Sequence, residues 1–273
     1  MMNRVYDKFT KIYKGKHFSK AKHKIKNALS SKVVVFDLDE TLGSFMDLEI
    51  MWNFIKKIGL KIEFNDLLDL YPEFLRYGIL PILDFLYQKK KSGECSKIYI
   101  YTNNQCSVEW SKLIADYFEY KLNAPGLFDQ IIYAFKINNK KVELLRTTHE
   151  KTHEDFIRCT LLPKTTEICF LDNSYFEDMR DDYIYYIQPK SYYHQLSYSD
   201  IAERFVSTFG VFDLPMELFG NALVSKDAMV TDIHVAQKIM YHIKEFFFFA
   251  KRRKQTKKLL LYSGRFTRKK FLK

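Results

Sequence analysis

Residues Val33-Val34-Val35-Phe36-Asp37-Leu38-Asp39-Glu40-Thr41-Leu42 constrain this chain more than any other stretch. Four consecutive apolar residues fit a short strand buried on both faces, as in a parallel sheet. The strand breaks off into two carboxylates two positions apart, a spacing that turns both side chains the same way. In open α/β sheets the carboxyl ends of the strands are where ligands bind. Desolvated like charges repel unless a cation or a shared proton offsets them, so packing alone is a poor reason for the pair. Two acids at a strand end, one nucleophilic and one acid/base, suit phosphoryl transfer through an aspartyl-phosphate.

Further strand-like runs follow at Lys97–Tyr101, Ile131–Phe135, Glu167–Leu171 and Tyr183–Ile187. Helical periodicity separates them at Phe74–Lys90 (with Pro81 early in it), Val108–Tyr120 and Thr152–Leu161. This alternation predicts an α/β fold with a central, mainly parallel sheet and helices on both faces. Two insertions interrupt it. Phe45–Tyr71 reads as a small helical cap beside the first strand's end, and Ala134–Leu145 as a hairpin turning at Asn138-Asn139. An amphipathic helix is expected over Thr231–Ala250.

At 273 residues and 47% hydrophobic content the chain can bury a substantial core and is not globally disordered. Its charge is segregated. Met1–Lys32 holds ten Lys/Arg against the single Asp7, and Lys251–Lys273 holds eleven and no acid. The segment between has 23 Lys/Arg against 32 Asp/Glu. The organisation expected is a basic N-terminal segment (1–32), a catalytic domain (33–230, insertion about 45–71) and a C-terminal helix with a basic tail (231–273). Such ends attract nucleic acid or an acidic partner, or serve solubility alone. Cys95, Cys106, Cys159 and Cys169 show no C-x-x-C spacing, which fits buried thiols in a reducing, intracellular compartment. No apolar leader is evident, and Phe246–Ala250 is too short to span a bilayer, so a soluble protein of the cytoplasm or nucleus is expected.

Asp37-Leu38-Asp39-Glu40-Thr41 resembles the first motif of the haloacid-dehalogenase (HAD) superfamily. More narrowly, it resembles the D-L-D-E-T-L form of phosphatases acting on the RNA polymerase II C-terminal domain (NLI-interacting-factor-like). Ile98–Thr102 is similar to the second motif, Lys151 before a helix to the third, and Leu171-Asp172-Asn173-Ser174 to the fourth in its Asp-Asn form. The chain is also similar to HAD-like phosphatases of large DNA viruses, which would place it in an infected host cell. The resemblance runs from about Val33 to Ile187 and implies a HAD-like Rossmannoid fold.

It also implies a set of roles. Asp37 would be the nucleophile and Asp39 the acid/base. Mg²⁺ would be held by Asp37, the Asp39 carbonyl and the Asp172-Asn173 pair. Thr41, Thr102, Asn103 and Lys151 would bind the substrate phosphate, with Lys136 and Lys164 as competitors for the lysine. The substrate implied is a phosphoserine or phosphothreonine protein segment. Nucleic-acid ends, small phosphoesters admitted under a lid, or a non-catalytic adaptor role remain the alternatives. His149-Glu150-Lys151-Thr152-His153 also satisfies H-E-x-x-H, but its wet, charged neighbours argue against zinc.

Overall fold

The computed structural model describes residues 7–19, 31–210 and 226–263. Six strands form the central sheet: β1 (Thr10–Lys14), β2 (Lys32–Phe36), β3 (Lys97–Tyr101), β4 (Gln130–Ile132), β7 (Glu167–Leu171) and β8 (Ile184–Pro189). The order is β1-β8-β7-β2-β3-β4, parallel throughout except for β1. Strand β2 is central and every residue in it is buried, which is why Val33–Phe36 reads as an unbroken apolar run. The chain is an α/β protein with a mostly parallel sheet flanked by helices, compatible with a Rossmann-like fold.

The pleat sorts its side chains into two cores. Val34, Phe36, Ile98, Ile100, Cys169 and Leu171 face one layer. That layer comprises α2 (Met46–Ile58), α3 (Phe64–Leu70), α4 (Ile79–Lys91), α5 (Val108–Leu122), α7 (Tyr198–Phe209) and α8 (Lys226–Ser263). The short helix α1 (Lys16–Ser19) adds Phe18 to the same layer. Val33, Val35, Tyr99, Tyr101, Ile168 and Phe170 face the other, which holds α6 (His153–Thr160) through Phe156 and Cys159. The helices do lie on both faces, but very unequally.

Several elements differ from expectation. The 45–71 insertion forms α2 and α3, but Leu48, Met51, Ile55, Leu67 and Leu68 are buried in the main core, so it is no detached cap. Helix α4 begins at Ile79 after Gly78 (φ 74), and Pro72–Phe74 is a separate 3-10 turn. Helix α8 begins at Lys226 rather than Thr231 and runs to Ser263. Residues 10–14, read as part of a basic arm, are the antiparallel edge strand β1. The rest of the N-terminal segment (1–6 and 20–30) and the final residues 264–273 lie outside the described residues.

The hairpin is present as β5 (Lys136–Ile137) and β6 (Lys140–Lys141). Asn138 (φ 49) and Asn139 (φ 60) occupy its two turn positions in the left-handed region, as a two-residue type I′ loop requires. All four cysteines are free thiols, three of them buried. Among the described residues no helix is long and apolar enough to cross a membrane.

Candidate active site

Pleat parity builds this site. Asp37 continues the Val33, Val35 series past the end of β2, and Asp172 continues the Ile168, Phe170 series past β7. Both therefore project to the α6 side, at the carboxyl edge of adjacent parallel strands. Asp37 is pinned there by its backbone N–H, which donates to the Leu171 carbonyl at 2.8 Å. On the same side the chain enters α6, whose N-cap is the Thr152 hydroxyl, accepting from Asp155 N.

Lys151 immediately precedes that cap, and its Nζ donates to Asp37 Oδ1 at 2.5 Å and to Asp172 Oδ2 at 2.6 Å. Burial opposes the ammonium, but the two carboxylates outweigh it and hold the lysine above its ordinary range. The Asp37 side chain keeps 11% exposure against 1% for Asp172, so Asp37 is the carboxylate open to an incoming molecule.

After Asp37 the chain makes a tight turn. Leu42 N donates to Leu38 O at 2.8 Å, and Glu40 adopts φ 58, a costly conformation for a non-glycine residue. Buried Arg76 holds it there by donating from Nε to the Thr41 carbonyl (2.6 Å) and from Nη2 to the Glu40 carbonyl and to Lys190 O. Gly43 closes the turn against β-bridge partner Leu75, and a Cβ there would collide with the Phe45 ring and the Phe74 carbonyl.

Asp39 Oδ2 accepts from Asn104 Nδ2 at 2.8 Å. Burial pushes the Asp39 carboxyl up to about 6; the Asn104 bond pulls against it, and Asp37 and Glu40 add to it. Burial also raises Asp172, to about 7, against the pull of Lys151. Three carboxyl groups thus crowd around one ammonium, and a hard divalent cation would favour their ionised forms. By donor chemistry Asp37, Asp172 and the Asp39 carbonyl fit Mg²⁺. Asn173 is otherwise engaged: its Oδ1 accepts from Thr41 Oγ1 (2.8 Å), and its Nδ2 donates to Glu40 and Ser191. Among the described residues no group of three or more His, Cys, Asp or Glu is arranged to hold a metal.

Of the expected phosphate ligands, Lys151 sits at the carboxylate pair. Thr41 is committed to Asn173, and buried Thr102 accepts from Asn104 N at 2.9 Å through Oγ1. Asn103 Oδ1 accepts from Arg146 Nη2 at 2.7 Å. Lys136 lies in the β5–β6 hairpin, and Lys164 is exposed in the loop before β7. His149 is exposed in a loop ahead of α6 and stacks edge-on against Phe135, so the two histidines of H-E-x-x-H do not share a helix face. Asn104, Arg76 and Arg146 were not singled out by sequence reasoning. Asn104 carried a faint signal, standing two residues beyond the strand-end hydroxyl.

A groove of about 270 Å³ adjoins this site between α2 and the start of α5. Glu49, Trp52, Asn53 and Lys56 line it from α2 at helical spacing, facing Cys106, Glu109 and Trp110. Cys106 N donates to Asn104 Oδ1, so the groove is one residue removed from the group that holds Asp39. No family model, curated protein or solved structure matches this chain.

Proposed function

We propose that this protein is a Mg²⁺-dependent phosphomonoesterase of haloacid-dehalogenase type that works through an aspartyl-phosphate. The observation that carries this reading is the Lys151 ammonium bonded to both Asp37 and Asp172 at the carboxyl edge of β2 and β7. Asp39 stands two residues on, with its carboxyl raised to about 6.

In the first step an Asp37 carboxylate oxygen attacks phosphorus and the ester P–O bond breaks. Asp39, in its acid form, gives its proton to the departing oxygen, which leaves as an alcohol. Asp39 then takes a proton from water, the water oxygen bonds to phosphorus, and the acyl-phosphate P–O bond opens to release inorganic phosphate and Asp37. Lys151 orients Asp37 through the hydrogen bond from its Nζ, and offers positive charge to the transferring group. Bound Mg²⁺ would supply further charge stabilisation on the phosphoryl oxygens.

The substrate class we favour is a phosphoserine or phosphothreonine in an extended protein segment. Support comes from the open groove that Cys106 links through Asn104 to Asp39, and from α2 and α3 burying their apolar faces in the main core. Hydrolysis of a generic aryl phosphate with and without Mg²⁺, in the native protein and in Asp37→Asn, tests the chemistry. Turnover that disappears in the variant is expected; its persistence would refute the reading. A screen over phosphopeptides, nucleotides and phosphorylated oligonucleotides then ranks the substrates.

The eleven basic residues and no acid in Lys251–Lys273 favour one second reading, an adaptor or nucleic-acid-end enzyme. Oligonucleotide binding without turnover would support the adaptor, and its salt dependence would flatten when Lys251–Lys273 is deleted.

A further inference from the structure

Arg146 is completely buried, and among the described residues no carboxylate lies within ion-pair distance of it. An unpaired buried guanidinium is costly unless oriented dipoles replace the lost water. Here they do so from three separate segments. Nη1 donates to the carbonyls of Thr102 (3.0 Å) and Tyr133 (2.8 Å). Nη2 donates to the carbonyls of His149 (3.0 Å) and Glu150 (3.1 Å) and to Asn103 Oδ1 (2.7 Å). Nε is buried without a hydrogen-bond partner. The guanidinium lies over the Tyr101 ring, 4.8 Å from its centroid, and the Lys151 ammonium lies 5.8 Å from that same centroid.

These bonds converge on the candidate site. Thr102 and Asn103 leave the end of β3, while His149 and Glu150 run directly into Lys151. One planar cation therefore sets the spacing between the β3 edge and the lysine. An amide whose oxygen is held by a guanidinium also has its two N–H groups directed away from that guanidinium.

We propose that Arg146 is a positioning residue, clamping the Thr102–Asn103 and His149–Glu150 segments so that Asn103 Nδ2 donates to the phosphoryl group beside Lys151. This rests on the phosphatase reading above. Lysine cannot replace it, because a single ammonium does not reach three segments in one plane.

Asn103→Asp separates this role from a structural one. It turns the Arg146 contact into an ion pair, and so maintains the clamp, while replacing the two N–H donors with an anion. The expected result is an unchanged or higher Tm, an orthovanadate affinity weakened by about 10²-fold and a raised KM for aryl phosphate. Arg146→Lys is expected to lower kcat/KM by a similar factor, about 10²-fold. Should Arg146→Lys fail to fold, Asn103→Asp decides alone. Native-level vanadate affinity in Asn103→Asp overturns the proposal, as does affinity lost only together with thermal stability. A native protein that neither hydrolyses aryl phosphate nor binds vanadate removes the phosphatase reading itself. Native activity with unaffected variants removes only the role of Arg146.

Discussion

Asn104 Nδ2 donates to Asp39 Oδ2 at 2.8 Å, fixing the orientation of the second carboxyl of the strand-end pair. The bond favours the ionised form, whereas burial favours the neutral one and wins, leaving the carboxyl near 6. A group that must donate a proton is active below its pKa, so kcat/KM should fall as pH rises through about 6. Asn104→Ala removes the one hydrogen bond that lowers this pKa and should move that limb to higher pH. A pH–rate profile of both proteins checks the direction of the shift.

The same burial has a stability consequence. Folded Asp39 binds its proton up to about 6, above its ordinary value of 3.8, so the folded state holds more protons than the unfolded chain between those pH values. Stability attributable to Asp39 is therefore present below about pH 4 and lost as pH rises towards 6. Asp39→Asn should raise stability at pH 7.5 by about 1–2 kcal/mol and gain little at pH 4. Denaturant melts at the two pH values measure it, with activity lost at both.

Lys151→Met leaves Asp37 and Asp172 buried without their cation. Destabilisation of about 3–5 kcal/mol is expected, together with a loss of about 10²–10³ in kcat. Lys151→Arg should not restore the rate, because a planar fork does not replace a point charge in so tight a site. Thermal melts and single-turnover kinetics on both variants test this.

Asn139 adopts φ 60 at the second position of the β5–β6 turn. Glycine is less strained in that region, so Asn139→Gly should stabilise the fold by about 0.5–1 kcal/mol with kcat unchanged. A combined melt and activity assay distinguishes this from a general loosening.

The site was legible in the sequence where local patterns alone determine geometry. Strands β3 and β7 have the predicted bounds, and strand parity at Asp37 and Asp172 follows from a period of two. Lys151 was readable as the residue ahead of a helix, although its two ion pairs needed coordinates. What escaped was set by tertiary contact. Thr10–Lys14 becomes a strand because β8 offers it an edge. Arg76 and Arg146 look like ordinary surface cations until the carbonyls around them are seen. The Phe74–Lys90 prediction ran too long because apolar spacing continues through Phe74 and Leu75, whereas the backbone there is diverted to bridge Gly43.

Strand β1 covers the outer edge of β8, and Lys14 reaches across to Glu245 of α8 at 2.8 Å. The first strand and the last helix thus seal one flank of the molecule jointly. A fragment cut to residues 33–230 would bare a row of unpaired amides on β8 and the apolar patch covered by Phe246 and Phe247. Such a fragment would self-associate in preference to behaving as a minimal domain.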